Sequence, residues 1–201
     1  MKQKALYLDV SGLSHHAFGS RDLMWWGTLG FMVIEGTMFA ILLAMYAYLY
    51  GVEPVWPPPP FQPPALLWGT VNTGILLVSL FANRLLHKAT EAKDVPRLRF
   101  WLLVMDAFAL AFLVVRGFEL THLNVRWDSN AYGSILWLIL GFHTFHLLTD
   151  AVESWVLTVL VFRRAEPRRL VDVSEDCLYW DFVIWSWIPL YLAVYWLPRW
   201  S

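Results

Sequence analysis

Two histidines and two acids are spaced along one apolar stretch of the sequence so that they share a helix face. They are His143, His146, Asp150 and Glu153, at relative positions 0, 3, 7 and 10, and this spacing keeps all four on one side of an α-helix. Imidazoles and carboxylates can move protons, bind metals or form hydrogen bonds. The stretch is long enough to span a membrane, so the sequence predicts that this polar stripe faces other helices, a partner protein or water.

Two more acids, Glu35 and Asp106, lie inside other apolar stretches. Glu35 comes ten residues after Trp25, about 15 Å along a helix, and Asp106 comes seven residues after Arg99. A charged carboxylate at the centre of a bilayer costs about 2.5–3.5 kcal/mol. We therefore expect the intramembrane acids to be buried against protein, between mid-membrane and the cytoplasmic side.

Four explanations of these polar groups stay open on the residues alone. Metal binding needs converging ligands, and the di-iron bundles repeat Glu-x-x-His on separate helices, whereas no second such segment exists here. Haem ligation normally takes one histidine from each of two helices, but His15, His16, His87 and His122 lie at or beyond helix ends. A proton relay through the carboxylates and simple hydrogen-bonded packing are the favoured interpretations. We expect no metal site and no catalytic residue.

The elements that position these groups are membrane helices. Of 201 residues, 58% are hydrophobic and 15% charged, with a mean hydropathy of +0.50, whereas a soluble domain carries about 25% charged residues. A net charge of −1 gives no basic face for nucleic acid. A span needs roughly 20 apolar residues, so the predicted fold is an all-α bundle of five transmembrane helices. The expected spans are Trp25–Tyr50, Ala65–Leu86, Phe100–Phe118, Ala131–Phe162 and Leu178–Leu197.

The orientation follows from basic residues in the connections. One side of the membrane receives three, five and four Lys and Arg residues, and the other side receives none, two and one. The richer side is cytoplasmic by the positive-inside rule. The sequence thus predicts a cytoplasmic N-terminal segment at 1–24, a membrane unit at 25–197 and a periplasmic tail at 198–201.

Several features at the helix ends carry expectations of their own. Arg99 and Arg116 flank the third span and can extend toward the headgroups. Pro189 is expected to kink the fifth helix. The proline-rich segment Gly51–Pro64 favours a stiff, extended strap on the outer surface; it is either a plain connector or a docking element.

A basic cluster ends the second span. Arg84, His87 and Lys88 are candidates for binding lipid headgroup phosphates at the cytoplasmic rim. Ordinary positive-inside charge explains the same residues, and both interpretations stay open.

Five stretches, in order, resemble the subunit III family of haem-copper oxidases. They are Trp25 to Gly27 with Gly30 to Ala40, which holds Glu35; Asn72-Thr73 with Leu76 to Ser79; Glu119; Ser129 to Ser134 with Gly141 to His146; and Tyr179 to Val183 with Pro189 to Tyr191 and Tyr195-Trp196. The resemblance covers about residues 25–197. The sequence departs from the family pattern at Asp181, Ile184 and Asp150, where a histidine, an aspartate and a glycine are expected.

The resemblance implies an accessory subunit of a proton-pumping cytochrome c oxidase, in the short five-helix form of bacterial plasma (inner) membranes. Such a subunit carries no redox centre, since haem and copper belong to partner subunits. It packs directly on catalytic subunit I, beside subunit II and small subunits. It stabilises subunit I, binds structural phospholipid and supports proton uptake during aerobic respiration, and the complex as a whole reduces oxygen.

Three other functions remain as alternatives. One is a cytochrome b-type membrane anchor with histidine-ligated haem, and another is subunit III of a quinol oxidase. A carboxylate-lined transporter is the third, although transporters usually show inverted repeats and broken helix pairs, which we do not find in the sequence.

Overall fold

The computed structural model describes residues 18–200 and consists, over that range, of helices and their connections. The five long helices are α1 (Leu23–Val52), α2 (Leu66–Glu91), α3 (Val95–Thr121), α4 (Ala131–Arg163) and α5 (Pro167–Tyr191). Each is long and apolar enough to cross a membrane, which confirms the predicted fold class. Most of the predicted segment 1–24, with His15 and His16, lies outside the described residues.

Helix α5 does not end as a regular α-helix. It continues through a wide π turn at Leu192–Trp196 and a 3₁₀ turn at Leu197–Arg199. Pro189 lies inside the regular part, three residues before the π turn. The kink expected at Pro189 stays a prediction.

Polar side chains cap the N-terminal ends of three helices. Asp22 precedes α1 and accepts a 2.9 Å hydrogen bond from the amide of Met24, and Asn130 precedes α4 and accepts a 2.8 Å bond from the amide of Gly133. These side chains satisfy amides that have no partner within the helix. Both α3 and α5 have proline in the first turn, where its missing N–H costs nothing, and Asp94 also caps α3 by accepting from the amide of Arg97.

Helix α5 is the centre of the bundle. It packs against α1, α2 and α4, while α3 packs on α2 and α4. Trp187 on α5 and Phe112 on α3 are fully buried in the core. The outward faces are apolar, with Phe81 and Val33 more than 60% exposed, as expected for helices surrounded by lipid.

The segment 53–65, which we call the strap, joins α1 to α2 and is held against the bundle. Trp56 is 5% exposed and donates a 3.0 Å hydrogen bond to Oη of Tyr46. Its ring also packs edge-on against Tyr132, with centroids 5.0 Å apart. Arg199 donates to the carbonyl oxygen of Pro64. The strap is therefore held against two helices, α1 and α4, and against the end of the chain.

Helices α3 and α5 extend beyond their predicted spans. Helix α5 begins at Pro167, eleven residues before the expected start at Leu178, because its first turns carry acids that hydropathy excludes but that face a cavity inside the bundle. Helix α3 extends beyond both of its flanking arginines. Arg116 is 0% exposed, so the expectation that it reaches the headgroups is wrong; a buried carboxylate pairs with it instead.

Candidate functional site

Three helices meet at Glu35. Its Oε1 lies 3.0 Å from Nε2 of His146 on α4, and its Oε2 accepts a 2.6 Å hydrogen bond from Oη of Tyr179 on α5. Glu35 is 8% exposed and His146 is 5% exposed. The other imidazole nitrogen, Nδ1, lies 2.6 Å from the carbonyl oxygen of Phe142. Every one of these polar atoms therefore has a partner inside the protein.

This geometry places one hydrogen between Oε1 of Glu35 and Nε2 of His146. A carbonyl oxygen only accepts, so Nδ1 of His146 must carry a hydrogen. The pair is then either a carboxylic acid donating to neutral Nε2 or a carboxylate accepting from an imidazolium. Both forms have no net charge, which is why the pair can be held at membrane depth.

A cavity of about 930 Å³ opens beside this pair, between α1, α4 and α5. Its apolar wall comes from α1 and α4, including Phe31, Ile34 and Phe145. Its polar lining holds more acids than bases: Glu35, Asp150, Glu153, Asp172, Glu175 and Asp176 against His146, Arg168 and Arg169. The cavity thus combines an apolar wall with a mainly acidic polar lining.

Asp150 is the most isolated acid of the cavity. It is 2% exposed, and neither carboxylate oxygen has a hydrogen-bond partner within residues 18–200. Asp176, across the cavity on α5, also has one oxygen without a partner in that range. An isolated buried carboxylate is costly, and such a group neutralises by holding a proton. Asp150 therefore has no group among residues 18–200 that would stabilise a negative charge by hydrogen bonding.

The six polar residues predicted from the sequence do not form a single cluster. Glu35, His146, Asp150 and Glu153 line the cavity together, although Glu153 is exposed. His143 is fully buried behind them, with its Nε2 3.2 Å from the carbonyl oxygen of Val183. Asp106 stands apart on α3, where it accepts a 3.3 Å hydrogen bond from Ser154.

Sequence reasoning missed the acids that α5 contributes. Asp172, Glu175, Asp176 and Tyr179 follow one another at intervals of three, one and three residues, which places them on one helix face. That periodicity was the signal. It was hidden because the expected start of α5 excluded the first three of these residues.

A second buried polar cluster lies near the strap end of the bundle. Nη1 of Arg116 is 2.8 Å from Oε1 of Glu119, and Asn72 donates a 2.7 Å hydrogen bond to Oε2. Tyr195 also donates to this carboxylate. The guanidinium stacks over Trp187 at 4.5 Å from the ring centroid. The sequence analysis named Asn72, Arg116, Glu119 and Tyr195 separately, and did not predict that they meet.

The histidine contacts favour packing over ligation of a cofactor. Both ring nitrogens of His146 and one of His143 are engaged in short contacts. Within residues 18–200, no group of three His, Cys, Asp or Glu side chains is placed to hold a metal ion.

The three basic candidates for lipid binding lie on α2, away from the cavity. Arg84 and Lys88 are exposed. His87 is half-buried, with Nε2 3.6 Å from Glu91 and Nδ1 3.4 Å from Oγ of Ser174. Their lipid-binding role stays a prediction.

Comparison with known proteins relates the whole chain to one family. A family model described as "Cytochrome c oxidase subunit III" matches residues 4–200. A "Cytochrome c oxidase subunit 3" from Synechocystis sp. is 31% identical, over 97% of this chain and 87% of that protein. One from Thermostichus vulcanus is 28% identical over 92% of each chain. A "Probable cytochrome c oxidase subunit 3" from Nocardia farcinica is 29% identical over 90% of this chain and 91% of that protein. The five-helix bundle described above thus belongs to the cytochrome c oxidase subunit III family.

Proposed function

We propose that this chain is the accessory, non-redox subunit III of a proton-pumping cytochrome c oxidase in a bacterial plasma membrane. Residues 25–197 form one membrane unit that packs on the catalytic subunit I, and subunit II and small subunits complete the complex. Haem and copper are held by the partner subunits, which reduce oxygen. Membership of the family over almost the whole chain supports this proposal.

Purification in mild detergent tests the assignment. We expect the chain to co-purify in equimolar amount with a haem- and copper-bearing subunit, and the isolated chain to show no Soret absorption. Stoichiometric haem on the isolated chain would favour the cytochrome b-type anchor instead. A purified complex that oxidises quinol but not reduced cytochrome c would favour the quinol oxidase.

The lipid-binding part of the proposal is supported by the cavity between α1, α4 and α5. Its apolar wall suits an acyl chain. Arg168, which is exposed, and Arg169 line the end where α5 begins, and guanidinium groups bind phosphate well. A phospholipid seated here would place its tail between α1 and α4 and its headgroup at the two arginines.

Native mass spectrometry of two double variants separates this site from the α2 cluster. We expect Arg168→Gln with Arg169→Gln to lose a retained anionic lipid, and Arg84→Gln with Lys88→Gln to keep it. The reverse result would place the lipid at Arg84, His87 and Lys88. If the unsubstituted protein retains no anionic lipid, the lipid-binding role is wrong.

The single observation that carries the proton-supporting role is the burial of Asp150, whose carboxylate has no hydrogen-bond donor within residues 18–200, beside the proton-sharing pair Glu35 and His146. Protonated acids in series can pass or store protons. We expect Asp150→Asn to leave assembly intact, because the amide fits the same space. The assembled oxidase should turn over more slowly at alkaline pH, where bulk protons are scarce. Equal turnover of the two enzymes over the whole pH range would contradict this role.

A further inference from the structure

Asp181 is a carboxylate inside α5 that does not line the cavity. It lies 14 residues after Pro167 and 18 residues before Arg199, about 21 and 27 Å along the helix. Its Oδ1 accepts a 2.8 Å hydrogen bond from Nδ2 of Asn83 on α2. The same Asn83 nitrogen also donates to the carbonyl oxygen of Cys177, at 2.7 Å. Over the described part of the chain, no cation pairs with Asp181.

Asp181 is partly exposed. It belongs to a strip of α5 in which no residue is buried, and Trp185 and Leu192 are 57% and 46% exposed. The strip consists of Leu178, Asp181, Phe182, Trp185, Pro189 and Leu192. These positions repeat every three or four residues and so share one face. The carboxylate thus opens onto an otherwise apolar surface.

This strip lies between the contacts that α5 makes with α1 and with α2, and we call this surface the α5 groove. Helix α1 packs on one side, where Gly36 lies against the ring of Phe182, and α2 packs on the other through Asn83. Along α1, Gly36 is followed at intervals of three or four residues by exposed small residues. They are Ala40, Ala44, Ala47 and Gly51. Small side chains allow the backbone of another helix to approach closely.

The carboxylate of Asp181 indicates which kind of group covers the α5 groove. A partly exposed carboxylate within a membrane span is unfavourable against lipid tails and is stabilised by a donor or a cation. Asn83 supplies one hydrogen bond, and its other hydrogen goes to the Cys177 carbonyl, so α2 offers no second donor through this side chain. Arg84, exposed on the α2 side, makes no ion pair with Asp181 among the described residues.

We propose that the α5 groove binds a transmembrane helix of another oxidase subunit, and that this helix presents a side-chain hydrogen-bond donor or cation to Asp181. The inference rests on the proposed function, because it assumes that the chain is part of an oxidase complex.

Site-directed photocrosslinking in the assembled complex tests the occupant. A benzophenone amino acid in place of Trp185 is expected to form an adduct with a second polypeptide of the complex on illumination. The same variant purified as an isolated chain is the control and should give no such adduct. Adducts with lipid alone, in a complex that still contains both proteins, would overturn this inference and leave the proposed function intact. Failure of the chain to co-purify with a haem-bearing subunit would instead overturn the proposed function.

Substitution of Asp181 tests the acid itself. In a detergent titration of the complex, Asp181→Leu is expected to release the chain at a lower detergent concentration than the unsubstituted protein. Asp181→Asn should fall between the two, because its carbonyl oxygen still accepts a hydrogen bond. Thermal unfolding of the isolated chain identifies any loss of intrinsic stability. Release of the Asp181→Leu chain at the same detergent concentration as the unsubstituted chain would overturn the proposal.

Discussion

Glu35 on α1 and His146 on α4 face each other in the membrane interior, with Oε1 3.0 Å from Nε2. Tyr179 on α5 donates to the second oxygen of the same carboxylate. Helix α1 packs on these two helices, and most of the rest of its surface is exposed. The contact therefore joins the outermost helix of the bundle to its centre.

Substitutions at Glu35 are expected to separate shape from charge. In Glu35→Gln, the amide oxygen accepts from Tyr179 and the amide nitrogen donates to neutral Nε2 of His146, so stability should change little. Glu35→Ala leaves the Tyr179 hydroxyl and His146 Nε2 without partners, at about 1–3 kcal/mol for each group. Unfolding of both variants in a denaturing detergent measures the difference. Equal destabilisation would show that a charged carboxylate is required.

The pair Arg116–Glu119 is expected to be strongly coupled. Glu119→Gln leaves the buried guanidinium without its counter-charge, and loss of one partner of a buried pair costs about 3–5 kcal/mol. Arg116→Met likewise leaves the buried carboxylate of Glu119 without its counter-charge. The double variant should recover much of the loss, and a double-mutant cycle of unfolding free energies measures the coupling. Additive effects would contradict the pairing described here.

Two glycines of α2 are expected to differ sharply. A Cβ at Gly69 would lie 2.5 Å from Cζ of Tyr195, and this ring is fully buried and bound to Glu119. Gly69→Ala should therefore cost on the order of 1–3 kcal/mol. Gly74→Ala is the matched control, because no atom lies within 4 Å of its added Cβ. Thermal unfolding of both variants is the measurement, and similar melting temperatures would show that Tyr195 is not fixed.

Cysteine labelling tests the predicted orientation. Cys177 is the one cysteine of the sequence, so Cys177→Ser provides a background for single cysteines. Gln62→Cys in the strap should react with an impermeant maleimide in intact spheroplasts. Ala92→Cys, between α2 and α3, should react only after the membrane is opened. The opposite pattern would reverse the assignment of the cytoplasmic N-terminus.

Hydropathy predicted the existence and order of the five helices because each must cross about 30 Å of membrane hydrocarbon with apolar residues. The same criterion failed at the start of α5, where charged residues face a cavity rather than lipid. Length and composition describe the lipid-facing surface of a helix. They carry no information about a polar face that another helix covers.

The sequence alone determined, through helical periodicity, that His143, His146, Asp150 and Glu153 share one side of α4. Only the tertiary structure decided that His146 meets Glu35, that Asp150 is buried with no donor among the described residues and that Glu153 remains exposed. Helical spacing sets the direction in which a side chain points along one helix. The partner that the side chain meets depends on how α1, α4 and α5 pack together. Residues far apart in the sequence determine that packing.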